Sequence, residues 1–328
     1  MRLLRLFALA AVVSTGAGAD GPIVIAHRGA SGYLPEHTQE AVVLAHAQGA
    51  DYIEQDLVLS KDGVPVVLHD VQIDTVTDVA DRFPGRKRAD GRWYAIDFTL
   101  DELKALNVTE RKDHRTGKPA LPGRFPVGVG SFRIPTFEEE IDLIEGLNRT
   151  TGRHAGIYPE IKAPAWHRGQ GADPSRVVLE ILKKRGYFGK EARCYVQCFE
   201  WAEVKRIREE LGYSGRLIFL FGGRPFNGDP DPTLAAGLDK IAAVVDGLGP
   251  ALPFVLRPSA EGKPGGADLM RLAHERKLEV HPWTVRSDAL PANFEGVDGV
   301  YQALFHELRV DGLFTDHPAQ AVGFLKGR

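Results

Sequence analysis

Residues able to move protons or hold charge recur along this chain at the ends of short apolar runs. His27 and Arg28 follow Ile23-Val24-Ile25-Ala26, and Glu54 and Asp56 sit inside the run at 52–57, YIEQDL. His69 and Asp70 follow 64–68, VPVVL, while Glu160 and Lys162 lie in and just after 157–161, IYPEI. Gln197 in 193–198, Trp283 in 279–284 and Thr315-Asp316 after 312–315 complete the series. A lone histidine at a strand end is more often structural than catalytic. Polar tips on nearly every run point instead to one shared site.

Glu54 and Asp56 are two apart, so on a strand both side chains point to one face. Carboxylates that close repel each other unless a cation lies between them. Glu160 offers a third oxygen donor. Three carboxylates without a cysteine or histidine ligand pair suit a hard divalent ion, Ca²⁺ or Mg²⁺. The plainer alternative is a buried network in which they pair only with Arg28 and Lys162. A cation held beside Arg28 and Lys162 makes a positive focus for phosphate, with those two side chains balancing charge in the transition state. His27 and His69 then divide the proton work of phosphodiester cleavage: one accepts from the attacking oxygen and the other donates to the leaving alkoxide.

The remaining histidines carry less. His37, His46, His114, His154, His167, His274, His306 and His317 fall in loop or helix patterns and read as solvent-facing or structural, with His281 in a supporting place at most. Gly29 and Gly32 let backbone approach a phosphate but belong to no nucleotide-binding glycine pattern. In PEHT, Glu36 is placed to orient Arg28, and Thr38 to cap the helix that follows.

Eight strands are expected, at 23–27, 52–57, 64–68, 157–161, 193–198, 216–221, 279–284 and 312–315. Helix signals stand between most pairs: Thr136 with Glu139 forms a capping box, and Asp173-Pro174 opens a helix. Gly186 and Gly212 mark helix ends. This alternation predicts a (β/α)8 TIM-type barrel, whose sites lie at the C-terminal ends of its strands. A doubly wound open sheet is the second choice. Residues 71–135 are too long for a βα loop and read as an insertion after the third strand, with its own short helix capped by Thr99 and Glu102. Residues 222–266, rich in Gly and Pro, read as a long loop over the same end of the barrel.

The chain has 328 residues, 43% of them hydrophobic, enough for one large α/β domain or two ordinary ones. Arg2 and Arg5 precede the apolar run Leu6 to Val13, and Ala17-Gly18-Ala19 follows. Residues 1–19 therefore read as a cleaved secretory signal peptide and 20–328 as the mature barrel, periplasmic or secreted; a membrane-spanning helix would need a longer apolar run. Cleavage takes the formal charge from −3 to about −5, and no basic patch suggests nucleic acid. Cys194 and Cys198 would stand roughly 13 Å apart on a strand, too far for a disulfide.

In order along the chain, HRG with PEHT, EQD, VVLHD, PEIK, QCF, HPWTVR and LFTDHP resemble the glycerophosphodiester phosphodiesterases, most closely the periplasmic bacterial type with its insertion after the third strand. The resemblance runs from Ile23 to Phe324. It implies hydrolysis of deacylated phospholipids such as glycerophosphocholine to sn-glycerol 3-phosphate and an alcohol, with a divalent metal that is Ca²⁺ in the periplasmic type. Carried over, the metal ligands fall on Glu54, Asp56 and Glu160, the acid–base pair on His27 and His69, and the phosphate contacts on Arg28 and Lys162. Gln197 would also contact substrate, and Trp283 with Phe199 would wall the glycerol or alcohol pocket. Cys198 stands where many relatives have Ser. Attack by the free glycerol hydroxyl, giving a cyclic phosphate, and direct attack by water use the same residues. Two other readings keep this centre: a phospholipase C- or D-like enzyme, and a phosphodiester-binding protein without turnover.

Overall fold

Apolar residues two apart on each strand face the surrounding helices, and the residues between them face inward, so the chain curls into a barrel rather than an open sheet. The computed structural model of the protein describes residues 21–223, 226, 228–257 and 265–327. The signal-like segment at 1–19 lies outside the described residues.

The strands are β1 Ile23–Ala26, β2 Tyr52–Leu59, β3 Pro65–Val67, β4 Gly156–Ile161, β5 Tyr195–Cys198, β6 Arg216–Phe221, β7 Gly247–Pro250, β8 Glu279–Val280 and β9 Gly312–Thr315. All but β3 run parallel, in the order β8-β7-β6-β5-β4-β2-β1-β9. Backbone bonds just past β8 close the ring onto β9: Phe314 donates to the Pro282 carbonyl (3.0 Å) and Val285 to that of Phe314 (2.8 Å). This is the expected (β/α)8 barrel.

Its staves differ from the expected eight in one exchange. The run at 64–68 is β3, which pairs antiparallel with the far end of β2, Leu57 opposite Val67 and Leu59 opposite Pro65. The missing stave is β7, GLGP, inside the segment read as a loop. Its glycines are required by packing: a Cβ on Gly249 would lie 2.3 Å from Leu220, and one on Gly247 2.7 Å from Ile218 and from the Glu279 carbonyl. Neighbouring strands fill this part of the barrel, so β7 has no apolar run of its own. The rest of 222–266 includes the helices Ala235–Ala242 and Leu252–Leu256 as well as the segments outside the described residues.

The helices are α1 Gln39–Gln48, α2 Val79–Arg82, α3 Leu100–Ala105, α4 Phe137–Thr151, α5 Pro164–Gly169, α6 Pro174–Lys184, α7 Trp201–Glu209, α8 Ala235–Ala242, α9 Leu252–Leu256, α10 Ala267–His274, α11 Val297–Tyr301 and α12 Pro318–Leu325. Capping boxes form at Thr99–Glu102 and Thr136–Glu139, Asp173 caps α6, and Thr38 caps α1. Among the described residues no helix is long and apolar enough to cross a membrane.

Outward residues of the strands, such as Val24, Ile53, Ile157 and Val196, join the main core under the helices. Inward residues Ile25, Tyr52, Tyr158, Tyr195, Ile218, Leu220 and Phe314 plug the barrel below its polar end. The insertion, which carries α2 and α3, has a third core around Ile73, Phe98, Leu103, Leu106 and Ile134, joined by Val58 of β2 and Val66 of β3. Phe98 is fully buried there, with the Arg86 guanidinium 4.0 Å from its ring centre. Phe98→Ala is expected to lower unfolding stability by about 3–5 kcal/mol, read as a fall in the denaturant midpoint.

Candidate active site

The inward alternation that plugs the barrel with aromatics continues to its C-terminal rim, where the inward residues become polar. On β2 the inward series is Tyr52, Glu54, Asp56. Register places Asp56 opposite Glu160 on β4, and Glu160 opposite Gln197 on β5. Ligand oxygens of Glu54, Asp56 and Glu160 lie within 4.8 Å of one another, and all three residues are buried.

At the end of β1 the chain reverses through two left-handed residues, Arg28 (φ 57°) and Gly29 (φ 78°). The turn aims the Arg28 backbone N–H at Glu54 Oε2 (2.8 Å) and its guanidinium at Glu36 (3.0 Å) and Asp56 (3.4 Å). Gly29 is needed for packing, since a Cβ there would meet the Ala41 backbone of α1 at 2.8 Å. On the far side, Lys162 Nζ lies 2.7 Å from Glu160 and 3.7 Å from Asp56. Gln197 donates to Glu54 Oε1 (3.2 Å).

His27 and His69 share one cavity with Arg28, the three carboxylates, Gln197, Phe199, Trp283 and Arg286. Each imidazole is tied by Nδ1 to a carboxylate at 2.6 Å, His27 to Asp316 and His69 to Asp70. An ionised carboxylate only accepts, so Nδ1 carries the proton and Nε2 keeps the lone pair. Burial, then the Arg28 charge, lowers His27 to about 3 against the pull of Asp316; the same two causes lower His69 to about 4. Both rings are therefore neutral bases near pH 7. Burial works to raise the Asp316 carboxyl, but His27, Arg286 and Arg124 hold it well below the usual range.

The three acids respond unequally. Burial and the Asp56 charge push Glu54 well up, and burial pushes Glu160 to about 8 despite Lys162. Asp56, although buried, is held well down by Lys162, His69 and His37. Asp56 Oδ1 accepts no hydrogen bond. Two buried acids whose carboxyls are pushed up, beside one carboxylate held down, fit a divalent cation, which would relieve the repulsion among the three.

All nine expected residues line this cavity or contact its carboxylates. Trp283 forms a wall, its Nε1–H fixed on the Gly249 carbonyl (2.8 Å) and its ring edge-on to Phe199. Cys198 points outward into the main core, where its Sγ accepts from the Glu200 N–H (3.4 Å). A contact made by a side chain at 198 is therefore absent from the cavity.

Other participants went unrecognised in the sequence. His37, read as solvent-facing or structural, is buried and donates from Nε2 to Asp56 Oδ2 (2.7 Å). Asp70 and Asp316 were visible as strand-tip polar residues; their role as imidazole partners needed the fold. Arg111 and Arg124, from the insertion, gave no signal, because nothing local in RKDHRTG or PGRFP relates them to residues at the barrel rim.

Residues 27–320 match the model of the glycerophosphoryl diester phosphodiesterase family. The chain is 44% identical to a glycerophosphodiester phosphodiesterase of Haemophilus influenzae over 93% of this chain and 90% of that protein, and 38% identical to one of Treponema pallidum over 92% and 91%. The barrel is also similar to a phosphodiesterase of Oleispira antarctica solved in complex with the product sn-glycerol-3-phosphate (TM-score 0.61, 20% identity, covering 93% of this chain and 97% of that one).

A cation bound only by the folded cluster must stabilise the fold. At a hundredfold excess of Ca²⁺ over its dissociation constant the gain is about 2.7 kcal/mol. The unfolding midpoint is expected to rise with added Ca²⁺ or Mg²⁺ in the wild type and to stay unmoved in Asp56→Asn; equal shifts in both proteins would place the ion elsewhere.

Proposed function

Because the chain belongs to the glycerophosphoryl diester phosphodiesterase family, we propose that it hydrolyses glycerophosphodiesters to sn-glycerol 3-phosphate and an alcohol by acid–base catalysis with His27 and His69. The observation that carries this reading is the pair of imidazoles, each with Nδ1 bound by a carboxylate, lining one cavity with Arg28 and a buried carboxylate cluster.

In this reading the phosphodiester lies between the two rings. Arg28 and Lys162 balance charge on its non-bridging oxygens. Glu54, Asp56 and Glu160 would hold that ion, Ca²⁺ or Mg²⁺, which when bound supplies positive charge against the phosphoryl oxygens. One imidazole Nε2 takes the proton of the attacking oxygen, either that of water or that of the neighbouring glycerol hydroxyl, in which case water then opens the cyclic phosphate left when the alkoxide departs. The other delivers a proton to the departing alkoxide, and the substrate's negative charge, by offsetting Arg28, raises that ring's affinity for it. Gln197 holds Glu54 in place, and Trp283 with Phe199 borders the alcohol side.

A binding protein without turnover would need the cluster, Arg28 and Lys162, yet gain nothing from two imidazoles in a fixed tautomer. The reading therefore favours catalysis. His27→Ala and His69→Ala are each expected to lower release of glycerol 3-phosphate from glycerophosphocholine by about 10²–10⁴-fold with the unfolding midpoint retained. Wild-type turnover in either variant would remove that histidine from the chemistry. A chelator is expected to abolish turnover and Ca²⁺ or Mg²⁺ to restore it; a chelator-resistant enzyme would rule out the metal.

The same reading places the enzyme outside the cytoplasm, supported by Arg2, Arg5, the apolar run that follows them and Ala17-Gly18-Ala19. Protein recovered from the periplasm or medium is expected to begin at Asp20 by intact mass; an unprocessed chain in the cytoplasm would argue against export.

A further inference from the structure

The insertion reaches the site through two arginines. Arg111 donates from Nη1 to Asp70 Oδ2 (2.5 Å), the carboxylate whose other oxygen binds His69. Arg124 donates from Nη2 to Asp316 Oδ2 (2.6 Å), the carboxylate whose other oxygen binds His27. Each imidazole thus ends a chain of the same form: imidazole, aspartate, arginine. Both arginines come from 71–135, while the histidines and aspartates come from the barrel rim.

We propose that Arg111 and Arg124 are positioning residues for the hydrolysis, so that the inserted segment completes the catalytic site. The proposal rests on the reading of His27 and His69 as the acid–base pair.

Three observations carry it. First, the arginines are themselves firmly held. Arg111 also grips Glu36 through two nitrogens (2.6 and 2.9 Å), and Arg124 grips Asp288 through two (2.7 and 3.0 Å) and the Ser31 carbonyl (3.2 Å). An arginine bound on two sides transmits position, because its planar fork fixes both partners at once. Second, each takes the aspartate oxygen that the imidazole leaves free, so the carboxylate stays ionised and cannot rotate away from Nδ1. The imidazole then keeps its Nδ1–H on the carboxylate and turns Nε2 to the phosphate, where one ring accepts a proton and the other carries the one it delivers. Third, the two arginines differ in a way that predicts different kinetics. Asp316 has a second support in Arg286 Nε (2.9 Å), and Arg124 touches nothing that binds phosphate. Glu36, gripped by Arg111, is the carboxylate that holds the Arg28 guanidinium (3.0 Å), so Arg111 supports His69 and the phosphate clamp together.

The test uses the mature, metal-loaded protein with glycerophosphocholine, measuring kcat and KM for glycerol 3-phosphate release. Loss of an outer support of this kind costs on the order of 10- to 100-fold. Arg124→Ala is expected to lower kcat by about tenfold or more with KM within about twofold, and Arg124→Lys, which restores charge but spans only one carboxylate, to recover part of the loss. Arg111→Ala is expected to lower kcat and also raise KM. Arg88→Ala, an insertion arginine paired with Asp97 and stacked on Tyr94 away from the cavity, serves as control and is expected to match wild type. If Arg124→Ala fails to fold, Arg124→Gln, which keeps the stem and a donor without the charge, is judged by the same criteria.

Wild-type kcat in both arginine variants, with His27→Ala and His69→Ala inactive, overturns the proposal and leaves the acid–base reading standing. Wild-type turnover in the histidine variants removes the reading beneath it. A rise in KM alone in Arg124→Ala also overturns the proposal, since it would make Arg124 a substrate-binding group.

Discussion

Three carboxylates buried within one 4.8 Å cluster are the constraint around which the molecule is organised. Like charges packed together out of water repel strongly, and burial alone penalises each of them. The chain meets this with Arg28 on one side, Lys162 on the other, a backbone N–H from a left-handed turn, a glutamine and a histidine. These partners come from four places on the rim: Arg28, which supplies both the guanidinium and the N–H, follows β1, His37 precedes α1, Lys162 follows β4 and Gln197 lies on β5. The barrel is what makes such convergence possible: parallel strands with matched register deliver inward side chains at one height from many directions.

Charge compensation then extends outward as alternation. Arg28 leans on Glu36, Glu36 on Arg111, Arg111 on Asp70 and Asp70 on His69, each step an opposite charge or a hydrogen-bond donor. A second line runs from His27 through Asp316 to Arg124 and Asp288. Linked in this way, Arg28, Glu36, Arg111, Asp70, Asp316 and Arg124 each have an opposite charge beside them, and the imidazoles stay neutral under the field of Arg28 without losing their orientation.

Much of this was readable from residues alone because the site obeys strand periodicity. Glu54 and Asp56 two apart, Glu160 and Lys162 two apart, and His27 just past an apolar run are local patterns, and local patterns survive without a fold. The capping boxes at Thr99 and Thr136 and the link from Glu36 to Arg28 were legible for the same reason. What escaped was non-local. β7 is built from glycines whose space is filled by Leu220 and Ile218, so its strand character belongs to its neighbours. β3 has the composition of a stave, yet β2 runs past the barrel rim and captures it as a hairpin. His37 looks like a loop residue until α1 and β2 bring it to Asp56. Arg111 and Arg124 acquire meaning only when the insertion is docked. The glycine after Arg28 has a further purpose that only the fold shows: its missing side chain makes room for the Ala41 backbone of α1.

The hydrogen bond between His27 and Asp316 joins residues 289 positions apart, almost the full length of the described chain. Contacts of such separation form late, because the entropy of closing so long a loop is offset only when the intervening strands are already paired. β1 must therefore wait for β9, and with it the imidazole waits for its carboxylate. The Arg28 turn, Glu54 and Asp56 all lie within or beside the first two strands, whereas the His27–Asp316 contact exists only once the ring has closed. Completion of the cavity and closure of the barrel are thus one event, and a partly folded chain carries a charged cluster without the contact that orients His27.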